Sequence, residues 1–303
     1  MYSEKLSDFL YLIDLMPADL DNLISSYVLK ADKVAVIESG PLISADNLLS
    51  GLKEIGVKNK EVDYLLVSHI HVDHAGASGR LLEHLPNAKL LVHHIGAPHL
   101  VDPQKLWMQT KEVLGEVAVL YGGYQPVPKE RIIAAMDGIE IDLGAGIALE
   151  VLETPGHASH ALSFYEAASQ GIFTGDSAGI HLPKLDVAMP TTPPPFHLEK
   201  TLSSLKRLME KAPEKLFYSH FGPAEDALGK LKAYVDQLKL WSRIIADAVD
   251  AGEDFDTIYR KVLDADPAMK KASRLLTNHP VWREIKSQDV HGFIGYFKRH
   301  PKR

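Results

Sequence analysis

Between Ser68 and Gly76 the chain reads Ser-His-Ile-His-Val-Asp-His-Ala-Gly, which sets three histidines and an aspartate within six positions. The apolar run Val62–Ser68 directly before it reads as a buried strand. A strand end delivering into a loop is where a protein mounts ligands on a rigid base. Left in solvent, such a cluster would repel itself as it protonated. Its usual partner is a divalent metal, because neutral imidazole and carboxylate both bind zinc, iron, manganese or cobalt. This loop therefore constrains the chain to a fold that holds metal at a strand end.

Three further sites follow the same plan, each just after a predicted strand: Thr154-Pro155-Gly156-His157, Thr174-Gly175-Asp176 and Ser219-His220-Phe221-Gly222. In the first two a glycine precedes the polar residue, which lets the backbone turn tightly and approach a ligand. One histidine after a strand means little; the event repeated with suitable donors means a good deal. The 303 residues include no cysteine, so disulfides, thiolate ligands and a cysteine nucleophile are excluded. Any metal sits on histidine and carboxylate.

The ordered set His-x-His-x-Asp-His, Thr-Pro-Gly-His, Gly-Asp and Ser-His resembles the ligand motifs of the metallo-β-lactamase-fold hydrolases, over roughly residues 9 to 223. The resemblance implies an α/β fold, an αββα sandwich with metals at one edge. It implies that His69, His71 and His157 hold one metal, that Asp73, His74 and His220 hold a second, and that Asp176 bridges them. Two divalent ions per chain follow, zinc first, with iron or manganese as alternatives. Asp73 and Asp176 would also act in catalysis, Asp73 by orienting the attacking water or shuttling its proton. Dedicated β-lactamases of this fold commonly carry arginine at the position of His74 and a cysteine in the second site, so the likeness is to glyoxalase II, phosphodiesterase and lactonase types. Glu38 stands where the family often has an aspartate, a departure that leaves the ligand set intact.

Elsewhere the first third alternates strands (Phe9–Leu15, Ser25–Leu29, Lys33–Glu38, Val62–Ser68, Lys89–His93) with helices: one from an N-cap at Ser44 to Ile55, one running through Leu85, and Pro103–Gly115. Strands return at Ile139–Leu143, Ala148–Glu153, Ala161–Tyr165, Ile172–Thr174 and Lys215–Ser219, with a helix over His197–Lys211. Residues 1–223 read as the catalytic core. Residues 224–303 read as a helical C-terminal extension packed on it, with helices over Glu225–Ala251, Phe255–Leu263 and Val281–Phe297.

The remaining histidines read first as packing or surface residues: His84, His93, His94, His99, His160, His181, His197, His279, His291 and His300. Tyr121–Pro128 and the proline loop Met189–Phe196 read as aromatic packing and a stiff connection, with pocket walls as the alternative. A net charge of −7 argues against nucleic acid as a partner. No apolar run approaches the ~18 residues of a membrane span, and the acidic start lacks the plan of a signal peptide, so a cytoplasmic address is expected. The expected activity is hydrolysis of small-molecule esters by a water activated between two metals, phosphodiesters first, then phosphotriesters and lactone-like esters. A glyoxalase II-like thioesterase and an iron-dependent oxygenase or diiron redox protein are the alternatives. A homo-oligomer is compatible with the sequence.

Overall fold

The computed structural model describes residues 3–275 and 280–301, the side chains of 275, 280 and 283–286 excepted. Seven strands form a first sheet in chain order: β1 (Ser3–Lys5), β2 (Leu10–Asp14), β3 (Ser25–Lys30), β4 (Val34–Ile37), β5 (Val62–Leu66), β6 (Lys89–His93) and β7 (Ile132–Ala135). Pairing is antiparallel from β1 to β4 and parallel from β4 to β7. The next strands are β8 (Glu140–Gly144), β9 (Ile147–Glu153), β10 (Leu162–Glu166) and β11 (Gly171–Gly175), then a hairpin of β12 (Ile180–Leu182) and β13 (Val187–Met189), then β14 (Lys215–Tyr218) and β15 (Gly222–Ala224). Without the hairpin these make a second sheet ordered β15-β14-β11-β10-β9-β8.

The sheets stack, and helices cover both outer faces. Alternation along a strand shows it: in β4, Ala35 and Ile37 join the core between the sheets, whereas Val34 and Val36 face the first helical layer. Likewise Phe173 and Phe217 point inward, and Ile172 and Leu216 point to the second helical layer. Burial on both faces is why these strands read as unbroken apolar runs rather than alternating ones. Tyr27, Phe173 and Phe217 fill the centre with ring centroids 4.7–5.5 Å apart.

The first outer layer holds α1 (Ala45–Glu54), α2 (Val72–Ala75), α3 (Ser78–His84), α4 (Ala97–Val101), α5 (Gln104–Leu114) and α6 (Glu116–Tyr121). The second holds α7 (Leu198–Glu210), α8 (Ala227–Asp250), α9 (Phe255–Ala265), α10 (Pro267–Leu275) and α11 (Pro280–Arg299). Residues of α7, α8, α9 and α11 share one core with the outer face of the second sheet, through Leu205, Leu231, Trp241, Val262 and Phe293 among others. This is the expected αββα sandwich with helices at its C-terminal end. No helix among the described residues is long and apolar enough to cross a membrane.

Several expectations change in detail. The helix expected to run through Leu85 is two, α2 and α3, divided around Gly76 and Ala77. Ser44 does precede α1 but makes no side-chain cap, and its buried Oγ has no partner among the described residues. A 3₁₀ turn over Leu42–Ser44 holds it in a near-helical conformation (φ −94°, ψ 2°), whereas a capping residue is extended.

Candidate metal centre

Every sequence-predicted ligand lies just beyond a strand terminus on one edge of the sandwich. His69, His71, Asp73 and His74 follow β5; His157 follows β9, Asp176 follows β11 and His220 follows β14. The first sheet thus supplies four side chains from the segment after β5, His69 and His71 from the loop and Asp73 and His74 from α2, and the second supplies one after each of three strands. Gly175 has φ +52°, and a Cβ there would meet Ser68 Cβ at 2.5 Å. Gly156 has φ +149° and backs onto Thr201. Both turns need glycine, as the sequence suggested.

The seven side chains converge. His69 Nε2 lies 2.9 Å from His71 Nδ1 and 3.2 Å from His157 Nε2, and His157 Nε2 lies 3.0 Å from His71 Nδ1. His74 Nε2 lies 3.2 Å from His220 Nε2 and 3.8 Å from Asp73 Oδ2. Asp176 stands between the two groups, with Oδ2 3.4 Å from His157 Nε2 and Oδ1 3.2 Å from His74 Nε2. Donor atoms within 4.8 Å of one another mark His69–His71–His157, Asp73–His74–His220 and His69–His74–Asp176 as groups able to hold a metal.

The outward ring nitrogens show that this donor set fits metal. His157 Nδ1 donates to Thr191 O (2.9 Å) and His220 Nδ1 donates to Leu23 O (2.7 Å). Each carbonyl accepts the Nδ1 proton, so Nε2 is the ring nitrogen left to face inward. His69 Nδ1 is held by Ser68 Oγ at 3.0 Å. Asp176 Oδ1, though buried, accepts no hydrogen bond among the described residues. Two inward Nε2 atoms packed beside two buried carboxylates form a donor set that a cation satisfies.

The electrostatics agree. Burial, reinforced by neighbouring histidines, pushes His69 and His71 well below the usual histidine range, so they stay neutral. Burial acts the same way on His74, but Asp176, Glu38 and Asp73 outweigh it and raise that ring well above its ordinary value. Burial alone would raise Asp73 and Asp176; the surrounding histidines, His74 first, instead hold both carboxyls far below the carboxylate range.

Glu38 plays a larger part than its sequence position suggested. It sits at φ 71° just after β4, with no exposure. Its Oε1 accepts from Ser219 Oγ (2.8 Å) and faces His74 Nδ1, and Oε2 accepts from Ser68 N (3.4 Å). One carboxylate thus ties the loops of both sheets together behind the ligands.

A cavity of about 420 Å³ opens above this floor. Its walls are Leu106, Gln109, Thr110, Val113 and Leu114 of α5, Pro193–Pro195 of the proline loop, Ile180, and Gln288 and Asp289 of α11. Among the described residues, no lysine or arginine lines it. The proline loop is therefore a wall, whereas Tyr121 is buried packing and Tyr124 donates to Ile70 O (3.0 Å). His160 also lines the cavity and is pushed down to about 4 by burial. His93 is buried against Glu153 (3.3 Å) and with it and His94 makes a further donor group away from the cavity lining, whereas His181 is held by Phe221 O (3.0 Å). His279 lies outside the described residues. Sequence reasoning expected the helix α5 but not its place in the cavity wall, and it did not single out Gln288 and Asp289 of the C-terminal helices. A faint signal was present in α11: Asp289, Phe293 and Tyr296 share one helical stripe, an acid on an apolar face.

The model of the metallo-beta-lactamase superfamily matches residues 20–220. The chain is 29% identical over 255 residues to the metallo-beta-lactamase fold-containing protein ST1585 of Sulfurisphaera tokodaii, covering 82% of this chain and 91% of that one. The crystal structure of ST1585 superposes with a TM-score of 0.66 at 28% identity, over 76% of this chain and 86% of that one. The metallo-beta-lactamase family protein TTHA1429 of Thermus thermophilus shares the fold, with a TM-score of 0.72 at 20% identity over 98% and 95% of the two chains. The putative diflavin flavoprotein A 1 of Thermosynechococcus vestitus is 25% identical over 239 residues, 74% of this chain but 37% of its own length.

Proposed function

The chain belongs to the metallo-beta-lactamase superfamily, and from that premise we propose that it is a dinuclear metal-dependent hydrolase of small, uncharged esters, lactone-like or phosphotriester. The observation that carries this reading is the pair of donor groups joined by Asp176 at the floor of a largely apolar cavity whose described walls hold no cationic side chain. His69, His71 and His157 would hold one ion and Asp73, His74 and His220 the other, with the Asp176 carboxylate lying between the two groups. Zinc is the first candidate, and iron or manganese suits the same donors. When bound, such ions would supply Lewis acidity, activating water near neutral pH and stabilising the oxygen that gains charge.

The chain's own residues do the rest. Ser68, Thr191 O and Leu23 O fix the rings of His69, His157 and His220. Leu106, Val113 and the three prolines seat the apolar part of the substrate and exclude water. Asp73 lines the cavity with its side chain 22% exposed, where its carboxylate would accept a hydrogen bond from the attacking water and orient it. The absence of lysine or arginine from the described walls disfavours a phosphodiester with a charged substituent, so neutral esters move ahead of the phosphodiesters favoured by sequence alone.

Elemental analysis of the freshly purified protein, followed by turnover of neutral carboxylic esters, lactones, phosphotriesters and phosphodiesters, tests the proposal. Close to two ions per chain with neutral esters preferred supports it. Absence of metal after incubation with zinc, manganese or iron overturns it. The similarity to diflavin flavoproteins favours a second reading, a redox protein on the same side chains, whose donors also suit iron. Bound iron together with oxygen consumption would select that reading over hydrolysis.

A further inference from the structure

The helices α8 and α11 lie beyond residue 220, where the family match ends, yet they reach the metal centre through two residues of the proline loop. Toward the metal ligands, Thr191 O accepts from His157 Nδ1 (2.9 Å) and Thr191 Oγ1 donates to the Asp176 carbonyl (2.7 Å). Toward the helices, Thr191 N–H donates to Tyr234 Oη of α8 (3.3 Å), and Thr192 N–H donates to Asp289 Oδ1 of α11 (2.7 Å). Thr192 Oγ1 donates to the Asp289 carbonyl (2.9 Å). The fit is close: a Cβ on Gly292, one turn further along α11, would run into the Thr192 carbonyl oxygen.

Asp289 is costly where it stands. It is 2% exposed, its Oδ2 has no partner among the described residues, and burial with the charge of Asp176 drives its carboxyl well above the carboxylate range. An acid kept in such a place needs a reason, and its side-chain hydrogen bond runs to Thr192.

We propose that Asp289 is a positioning residue for the metal ligand His157: it fixes Thr192, hence the Thr191 carbonyl, and hence the tautomer and tilt of the imidazole. A carbonyl behind a ligating histidine sets which nitrogen is bare, and loss of such a partner costs about 10–100-fold in metal affinity. The inference rests on the seven residues being metal ligands, and it is independent of whether esters are the substrate.

The test is cobalt(II) binding to the full chain, followed by chelator competition and the visible cobalt spectrum. The His157 site is identified by the band missing in His157→Ala. In Asp289→Leu, one of two ions is expected to bind about 10–100-fold more weakly, with the His157 band displaced and the second ion unaffected. Asp289→Asn keeps an oxygen acceptor toward Thr192 N–H and is expected to restore both affinity and spectrum. Unchanged binding at both sites in a folded Asp289→Leu protein overturns the inference, as does equal loss at both. Asp289→Ala removes the same acceptor with less bulk and carries the test if Asp289→Leu fails to fold: weaker binding confined to the His157 site supports the inference, and unaltered binding overturns it. A wild-type chain that binds no cobalt overturns the metal reading itself.

Discussion

Glu38 Oε1 lies 3.2 Å from His74 Nδ1, and neither side chain has any exposure. A carboxylate behind a ligating histidine fixes the ring and raises its basicity. On the proposed two-ion reading, Glu38→Gln is therefore expected to weaken metal binding at the Asp73, His74 and His220 group by about 10–100-fold, read by chelator competition. Equal affinity in the variant would reduce Glu38 to a tie between the loops of Ser68 and Ser219.

Asp176 offers one oxygen to each donor group. Asp176→Ala is expected to lower metal content by about one ion per chain and turnover by a factor on the order of 100. Full occupancy with full activity would sink the two-ion arrangement.

The cavity wall carries its own prediction. Gln109 lines it amid apolar neighbours on α5. Gln109→Arg is expected to raise kcat/KM for esters bearing a carboxylate tail by about tenfold relative to their uncharged isosteres, a gain of about 1.4 kcal/mol in the transition state. A ratio that stays put would show that the tail of the substrate does not lie along α5.

Gly292 gives a stability prediction whose sign runs against helix propensity. In an open helix, Gly→Ala stabilises by about 1 kcal/mol. Here the added methyl meets the Thr192 carbonyl, so Gly292→Ala is expected to destabilise by about 1–3 kcal/mol, measured by urea unfolding of the metal-loaded protein.

His93 sets an acid limb. Burial holds it below the ordinary histidine value despite Glu153, so the unfolded chain takes up this proton first as pH falls. Stability from the neutral ring is present above the unfolded value of about 6.5 and is lost as pH drops below it toward the folded value. His93→Gln should flatten the slope of unfolding free energy against pH in that window by up to about one proton. An unchanged slope would assign the limb to other groups.

What the sequence disclosed follows from range. The ligand loop and the three later turns were legible because each couples a strand to a donor within a few residues. β6 matched the expected span Lys89–His93 because both its faces are buried and its ends are polar. The short elements α4, β12, β13 and β15 carry too few residues for a period to show. Glu38 was undervalued because its partners Ser219 and Ser68 are distant in the chain. Thr192 and Asp289 are 97 positions apart, and no local pattern announces such a pair.

The division of ligands between the two sheets has a mechanical consequence. Four donors ride on one sheet and three on the other, so the gap between donors is set by how the sheets lean together. That angle is governed at a distance by the packing of Tyr27 against Phe173 and Phe217, and Tyr27 also clasps the Tyr218 carbonyl two residues before His220 (2.7 Å). Repacking this aromatic wedge would act as a tuning screw, opening or closing the gap between the two donor groups without touching any of the seven side chains.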